Sequence, residues 1–218
     1  MEMLTFLSFW RLIVFQPKKF FREYFREESS PYLWFTLIIY GLAVEINRID
    51  RQFVKGDLQN KLDQGEFLNN WFSYWTFAII IGLIIGYCFY RLGGWFFNLR
   101  VKWSKGVPNV KTARFINLYS CFLPCFITVF VSIIETLSKP KPYIPDEPLL
   151  PTRDLLLAII SILASYYSIY VSYQGVTIVM KPEKWRCRIW FLILPILFFS
   201  LIALGTMSMF WVIFSLKG

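Results

Sequence analysis

The sequence predicts an all-α protein: a polytopic membrane helix bundle with five transmembrane helices and an N-terminal amphipathic helix lying in the membrane interface. Three observations predict it. Of 218 residues, 56% are hydrophobic and 20% aromatic, with a mean hydropathy of +0.50. That is more apolar mass than a soluble domain of this length carries. Apolar runs recur along the chain, most of them reaching the ~20 residues that cross a hydrocarbon core. The basic residues fall mainly between those runs, as membrane topology requires.

Residues 1–31 form a cytoplasmic, interfacial segment. MEMLTFLSFWRLIVF carries Glu2, has Arg11 inside its apolar run and lacks a small-residue cleavage site, so it does not read as a signal peptide. PKKFFREYFREE, 17–28, places Phe20, Phe21, Tyr24 and Phe25 on one helical face and Lys18, Lys19, Arg22, Glu23 and Arg26 on the other. Pro17 suits a first helical position. The pattern predicts an amphipathic helix in the headgroup region.

Residues 32–218 form one bundle. Its predicted spans are 32–46, 71–94, 115–137, 155–180 and 189–216. The first is short for a bilayer; the other four are long enough. The second contains Gly82 and Gly86, a G-x-x-x-G pair that lets helix backbones approach closely. It ends in YRLGGWFFNLRVKWSKG, where the pair Gly93–Gly94 is expected to close the helix with a left-handed turn. Tyr90, Trp95 and Trp103 suit the headgroup level. Between the third and fourth spans, Pro142, Pro145, Pro148 and Pro151 recur at the three-residue period of polyproline II. This reads as a stiff spacer, with an external docking ligand as the alternative.

Charge sets the orientation. Residues 1–31, 91–114 and 181–188 hold 15 of the 23 Lys and Arg, and 91–114 has six with no acid. The positive-inside rule places the N-terminus in the cytoplasm and the C-terminus outside. The net charge of +9 therefore reads as topology and contact with anionic headgroups rather than nucleic-acid binding.

Chemistry is sparse. With no His, the commonest general base and metal ligand is missing. There is no G-x-S-x-G, no P-loop and no G-x-G-x-x-G. The four Cys do not make a disulfide framework; Cys121 and Cys125 share a face at i, i+4, too few ligands for a metal. No enzyme, cofactor or metal site is expected. A polar line on the third span (Asn117, Thr128, Glu135) and a serine line on the fourth (Ser161, Ser165, Ser168, Ser172) read first as packing faces. The alternative is a polar path through the bundle, with Glu45 and Glu135 as carboxylates near the outer helix ends, where charge reaches headgroup water at low cost.

The order of these features resembles the Yip1 domain family of five-span membrane proteins. PKKFF precedes the first span, ESSPYLW leads into it, and LGGWFFNLRVKWSKG closes the second; TARFINLYSCFLP then brings Tyr119 and Pro124 into the third. The resemblance covers roughly residues 8 to 215. It implies the five-helix fold and, for eukaryotic members, Golgi and endoplasmic reticulum traffic with Rab GTPase binding and membrane shaping. Those members carry a long polar N-terminal region. Here that region spans about 30 residues, so GTPase binding is not carried over, and a short prokaryotic-type member in an inner membrane fits better, with a eukaryotic organelle membrane as the alternative.

The resulting expectation is a non-enzymatic membrane scaffold, trafficking or assembly factor. Its partners are anionic lipid headgroups and other membrane proteins or further copies of the chain. Lys18, Lys19, Phe20, Phe21, Arg22 and Phe25 would meet the interface, and Gly93, Gly94, Arg100, Lys102, Lys105 and Lys111 a headgroup or partner. A small-solute, ion or lipid transporter and an accessory subunit of a larger complex are the alternatives.

Overall fold

The computed structural model describes residues 6–25, 32–58, 67–144, 152–202 and 204–205. Every regular element among them is helical. They are α1 (Phe6–Phe15), α2 (Pro17–Lys19) with a π-helical turn Phe20–Tyr24, α3 (Leu33–Leu58), α4 (Trp71–Trp103), α5 (Val110–Ser120) and α6 (Phe122–Ser138). There follow α7 (Thr152–Gly175), continued by a π-helical turn Val176–Met180, and α8 (Lys184–Ile202), which contains a π-helical stretch Ile189–Ile193. The C-terminal part of the predicted fifth span, residues 26–31 and Pro145, Pro148 and Pro151 lie outside the described residues.

Local signals set the helix ends. Asn70 caps α4 by accepting from the Phe72 N–H at 2.8 Å. Asn109 caps α5, accepting from Lys111 and Thr112 at 3.0 and 3.2 Å. Both side chains satisfy donors that the first helical turn leaves free. Between α5 and α6 the axis bends by 43° at Cys121, with Pro124 in the first turn of α6. A proline there costs no interior hydrogen bond and fixes the break.

The expectation of five clear spans is not met. Among the described residues, α4 and α8 are long and apolar enough to cross a membrane, and the bent pair α5–α6 brings the number to three. The predicted first span is part of a 26-residue helix that continues past residue 46 through Arg48, Asp50, Arg51 and Lys55. Its charged half dilutes the apolar half. For α7, the side chains of 152–158 lie outside the described residues.

Two further expectations are corrected. The glycine pair does not end the second predicted span: α4 runs on nine residues to Trp103, and no described glycine has positive φ. Within the described part of the segment 17–28, residues 17–25, the rings of Phe20 and Phe21 do not face outward. Phe20 and Phe21 are 1% and 3% exposed. Phe20 meets the rings of Phe9 and Tyr119 edge-on at 5.3 and 5.8 Å. Just upstream, Trp10 stacks on Phe122 at 3.7 Å. The N-terminal segment is thus a wedge in the bundle, because its aromatic rings find other rings there. Each buried Phe contributes roughly 2 kcal/mol relative to water.

Helices α3 and α4 touch backbone to backbone. A Cβ on Gly41 would lie 2.3 Å from the carbonyl oxygen of Gly82, and one on Gly86 would lie 2.5 Å from the Gly41 Cα. The G-x-x-x-G pair does pack closely, and its partner is a third glycine on α3.

Candidate functional site

The polar chemistry gathers at the two ends of the bundle. At the end where α4 finishes, the helix closes by two bonds: Gly106 N–H to Val101 O and Lys105 N–H to Lys102 O, both 3.0 Å. This Schellman geometry puts Lys105 where glycine is usual, at φ 55°. A second lysine, Lys181, has φ 45° just after the Val176–Met180 turn. The two turns pair reciprocally. Val107 N–H donates to Met180 O at 2.8 Å, and Glu183 N–H donates to Ser104 O at 2.9 Å. Each turn therefore accepts at its first residue, holds a left-handed lysine at its second and donates from its fourth. Together they join the α4–α5 connection to the α7–α8 connection.

This double turn is strongly basic. Lys102, Lys105, Lys111, Lys181, Lys184, Arg186 and Arg188 are all exposed. Glu183 is the sole acid in 102–111 and 181–188; it reaches Arg186 at 3.0 Å and Lys105 at 3.7 Å. Exposed Trp103, Val107 and Trp185 stand among the cations.

Arg100 lies behind this surface. Its Nε and Nη2 both donate to the carbonyl of Trp190, the former at 3.1 Å. Its guanidinium sits 4.3 Å from the Phe191 ring centroid. The cause is Pro195. Leu194 N–H bonds to Ile189 O across the π-helical stretch, so the next bond would run from residue 195 to Trp190 O. Proline has no N–H. Arg100 supplies the missing donor from another helix.

Along the α4–α5 seam, Gly94 faces Arg114: a Cβ on Gly94 would lie 2.1 Å from the Arg114 Cγ. One on Gly93 would lie 3.0 Å from the Asn117 amide nitrogen. The pair removes side chains so that polar groups of α5 can pass.

At the opposite end, Glu45 is fully buried and takes Arg48 in bidentate fashion, with Arg48 Nε to Glu45 Oε2 at 2.9 Å. The sequence placed this carboxylate in headgroup water; it finds its partner three residues along its own helix instead. Tyr74 donates to Asp50 at 3.0 Å, and Trp71 and Trp75 donate to Lys139 O and Thr136 Oγ1 at 2.9 Å each. Glu135 pairs with Lys139 at 3.7 Å. The Asp50 residue is exposed as a whole, but its carboxyl is turned against Tyr74. Burial there pushes it up to about 6, opposed by the Tyr74 hydrogen bond.

The predicted polar path is divided. Thr128 donates to Pro124 O at 3.1 Å, Ser165 to Ser161 O and Ser168 to Ser165 O, each at 2.8 Å. These hydroxyls serve their own helices. Ser172 is half-buried, Asn117 lies at the glycine seam, Glu45 packs beside Gly82 and pairs with Arg48, and Glu135 pairs with Lys139. Of the predicted interface residues, Lys18, Lys19 and Arg22 are exposed, Phe25 is half-buried, and Phe20 and Phe21 are inside. Sequence reasoning missed Gly41, Asn98, Arg114 and Lys181. Arg100 was singled out for its charge as a headgroup or partner contact; its tie to Trp190 O depends on the π-helical register and has no signal in the sequence.

Comparison with protein-family models matches the Yip1 domain over residues 10–207. The chain belongs to the Yip1 domain family. Comparison with curated proteins and with solved structures gives no match. Family and apolar helices together make this Yip1-domain chain a membrane protein.

Proposed function

We propose that this Yip1-domain protein is a non-enzymatic membrane scaffold, acting in trafficking or assembly through contacts with lipid surfaces and other membrane proteins. The observation that carries the reading is the double turn: seven exposed cations around one acid, with Trp103 and Trp185 beside them. Cations near an anionic surface each contribute about 1 kcal/mol, and indole rings settle at headgroup depth. Such a surface recognises an anionic bilayer or an acidic partner at its face. The basic end faces the cytoplasm by the positive-inside rule, in an inner membrane of bacterial or archaeal type.

The test uses protein in nanodiscs of neutral lipid, mixed with vesicles containing 30% phosphatidylglycerol (about a physiological anionic fraction). Wild type should co-float with these vesicles at low salt. The variant K102E/K105E/K181E/K184E should not. Equal flotation of the two proteins refutes the lipid-surface role.

A further inference from the structure

Lys105, in the α4–α5 connection, and Arg186, in the first turn of α8, reach the same atom. Lys105 Nζ lies 3.7 Å and Arg186 Nε 3.0 Å from Oε2 of Glu183. Two cations far apart in the sequence therefore converge on one anionic oxygen, and the spot between them is an anion position. The backbone builds it. Lys105 is brought there by its left-handed turn, at φ 55°. Glu183 is brought there by its own N–H, which donates to Ser104 O at 2.9 Å. Left-handed backbone at a residue other than glycine is costly and gathers at functional sites. Glu183 is also the N-cap residue of α8, yet its side chain makes no capping bond. The carboxylate serves the two cations instead.

One carboxylate oxygen shared by two cations is a poor match for them. A phosphodiester spreads its charge over two free oxygens, so each cation can take its own, and a guanidinium favours phosphate oxygen. The exchange is easy. All three side chains are at least 46% exposed, so Glu183 can swing into water, and exposed ion pairs of this kind are weak. Lys181 and Lys184 stand nearby, exposed and without an ion pair among the described residues, so the surroundings stay cationic when the carboxylate leaves. Exposed Trp103 and Trp185 suit headgroup depth. We propose that Lys105 and Arg186 form a binding site for the phosphate of an anionic lipid, and that Glu183 occupies this site as an internal competitor until the lipid displaces it. This rests on the lipid-surface part of the scaffold reading and gives that surface a defined site with a built-in restraint.

The experiment titrates phosphatidylglycerol vesicles against wild type, E183Q and E23Q held in neutral nanodiscs. Each substitution removes one exposed acid; Glu23 makes no ion pair among the described residues and serves as the control for net charge. Gln at 183 keeps the backbone bond to Ser104. E183Q should tighten vesicle binding about fivefold more than E23Q does, the worth of an exposed ion pair that no longer competes. In a K105Q/R186Q background the two substitutions should have equal effects. Inorganic phosphate should displace wild type from vesicles no better than chloride at the same ionic strength. Equal gains from E183Q and E23Q would reduce Glu183 to a long-range charge and overturn the proposal. So would an E183Q excess that persists without Lys105 and Arg186. Stronger displacement by inorganic phosphate would assign the site to a soluble ion and overturn the lipid. Flotation of wild type, and its loss on charge reversal, can hold while the Glu183 excess is missing, so the two readings fail separately.

Discussion

Arg100 on α4 donates twice to the carbonyl of Trp190 on α8, the carbonyl that Pro195 leaves without a backbone donor. A helix defect in one element is thus repaired by a side chain from another, and the repair ties α4 to α8. R100M should cost about 2 kcal/mol, the usual worth of a charged hydrogen bond plus an exposed orphan. In R100M/P195A the cost should shrink, because residue 195 can then donate. A thermal-denaturation double-mutant cycle measures the coupling; additive effects would count against the repair.

The α3–α4 contact predicts a steep response to one methyl group. G41A forces a Cβ to within 2.3 Å of backbone that cannot rotate away. It should destabilise by about 2–3 kcal/mol. G205A is the control, since a Cβ there meets nothing within 4 Å. It should be neutral or slightly stabilising. Comparable losses for the two would mean the close approach is wrong.

The paired turns predict the opposite sign. Lys105 and Lys181 both hold left-handed backbone, at φ 55° and 45°. A non-glycine residue there costs roughly 1 kcal/mol. K105G and K181G should each raise the midpoint by a degree or more (about 1 kcal/mol at most, after glycine's larger entropy in the unfolded chain), while weakening flotation with anionic vesicles. Stability gained without loss of flotation would show the lysines have no role at the surface.

Asp50 predicts a pH dependence at the far end. Its carboxyl is raised from 3.8 to about 6, so the folded protein holds its proton more tightly than the unfolded chain. The stability it contributes is fully present below pH 3.8 and is lost as pH rises through 6. D50N keeps an acceptor for Tyr74 and should flatten that slope, gaining stability at pH 7–8 relative to wild type. Denaturation midpoints across pH 4–8 test this; parallel curves would exclude it.

The all-helical character of the chain was legible because hydropathy is local. Gly82 and Gly86 pack against a neighbouring helix backbone, as their spacing implies. What was hidden depended on partners far along the chain. PKKFFREYF looks amphipathic by itself, and only the presence of Phe9, Tyr119 and Gly175 nearby turns its rings inward; the Gly175 Cβ position is 2.8 Å from the Phe21 ring. Gly93–Gly94 reads as a helix stop until α5 is laid against it, when it becomes the gap Arg114 needs. Lys105 in a glycine position, with Gly106 one residue later, gives no sequence sign of its conformation. The charged half of α3 is continuous with its apolar half, so α3 does not stand out as a span by length and composition.

A scaffold, unlike a transporter, needs no water along α6 and α7, whose hydroxyls at Thr128, Ser165 and Ser168 bond within their own helices. In a background lacking the four native cysteines, T128C and S165C should resist a membrane-impermeant maleimide while K105C labels readily. Labelling of both Thr128→Cys and Ser165→Cys from the aqueous side would contradict the account and point instead to a conducting path.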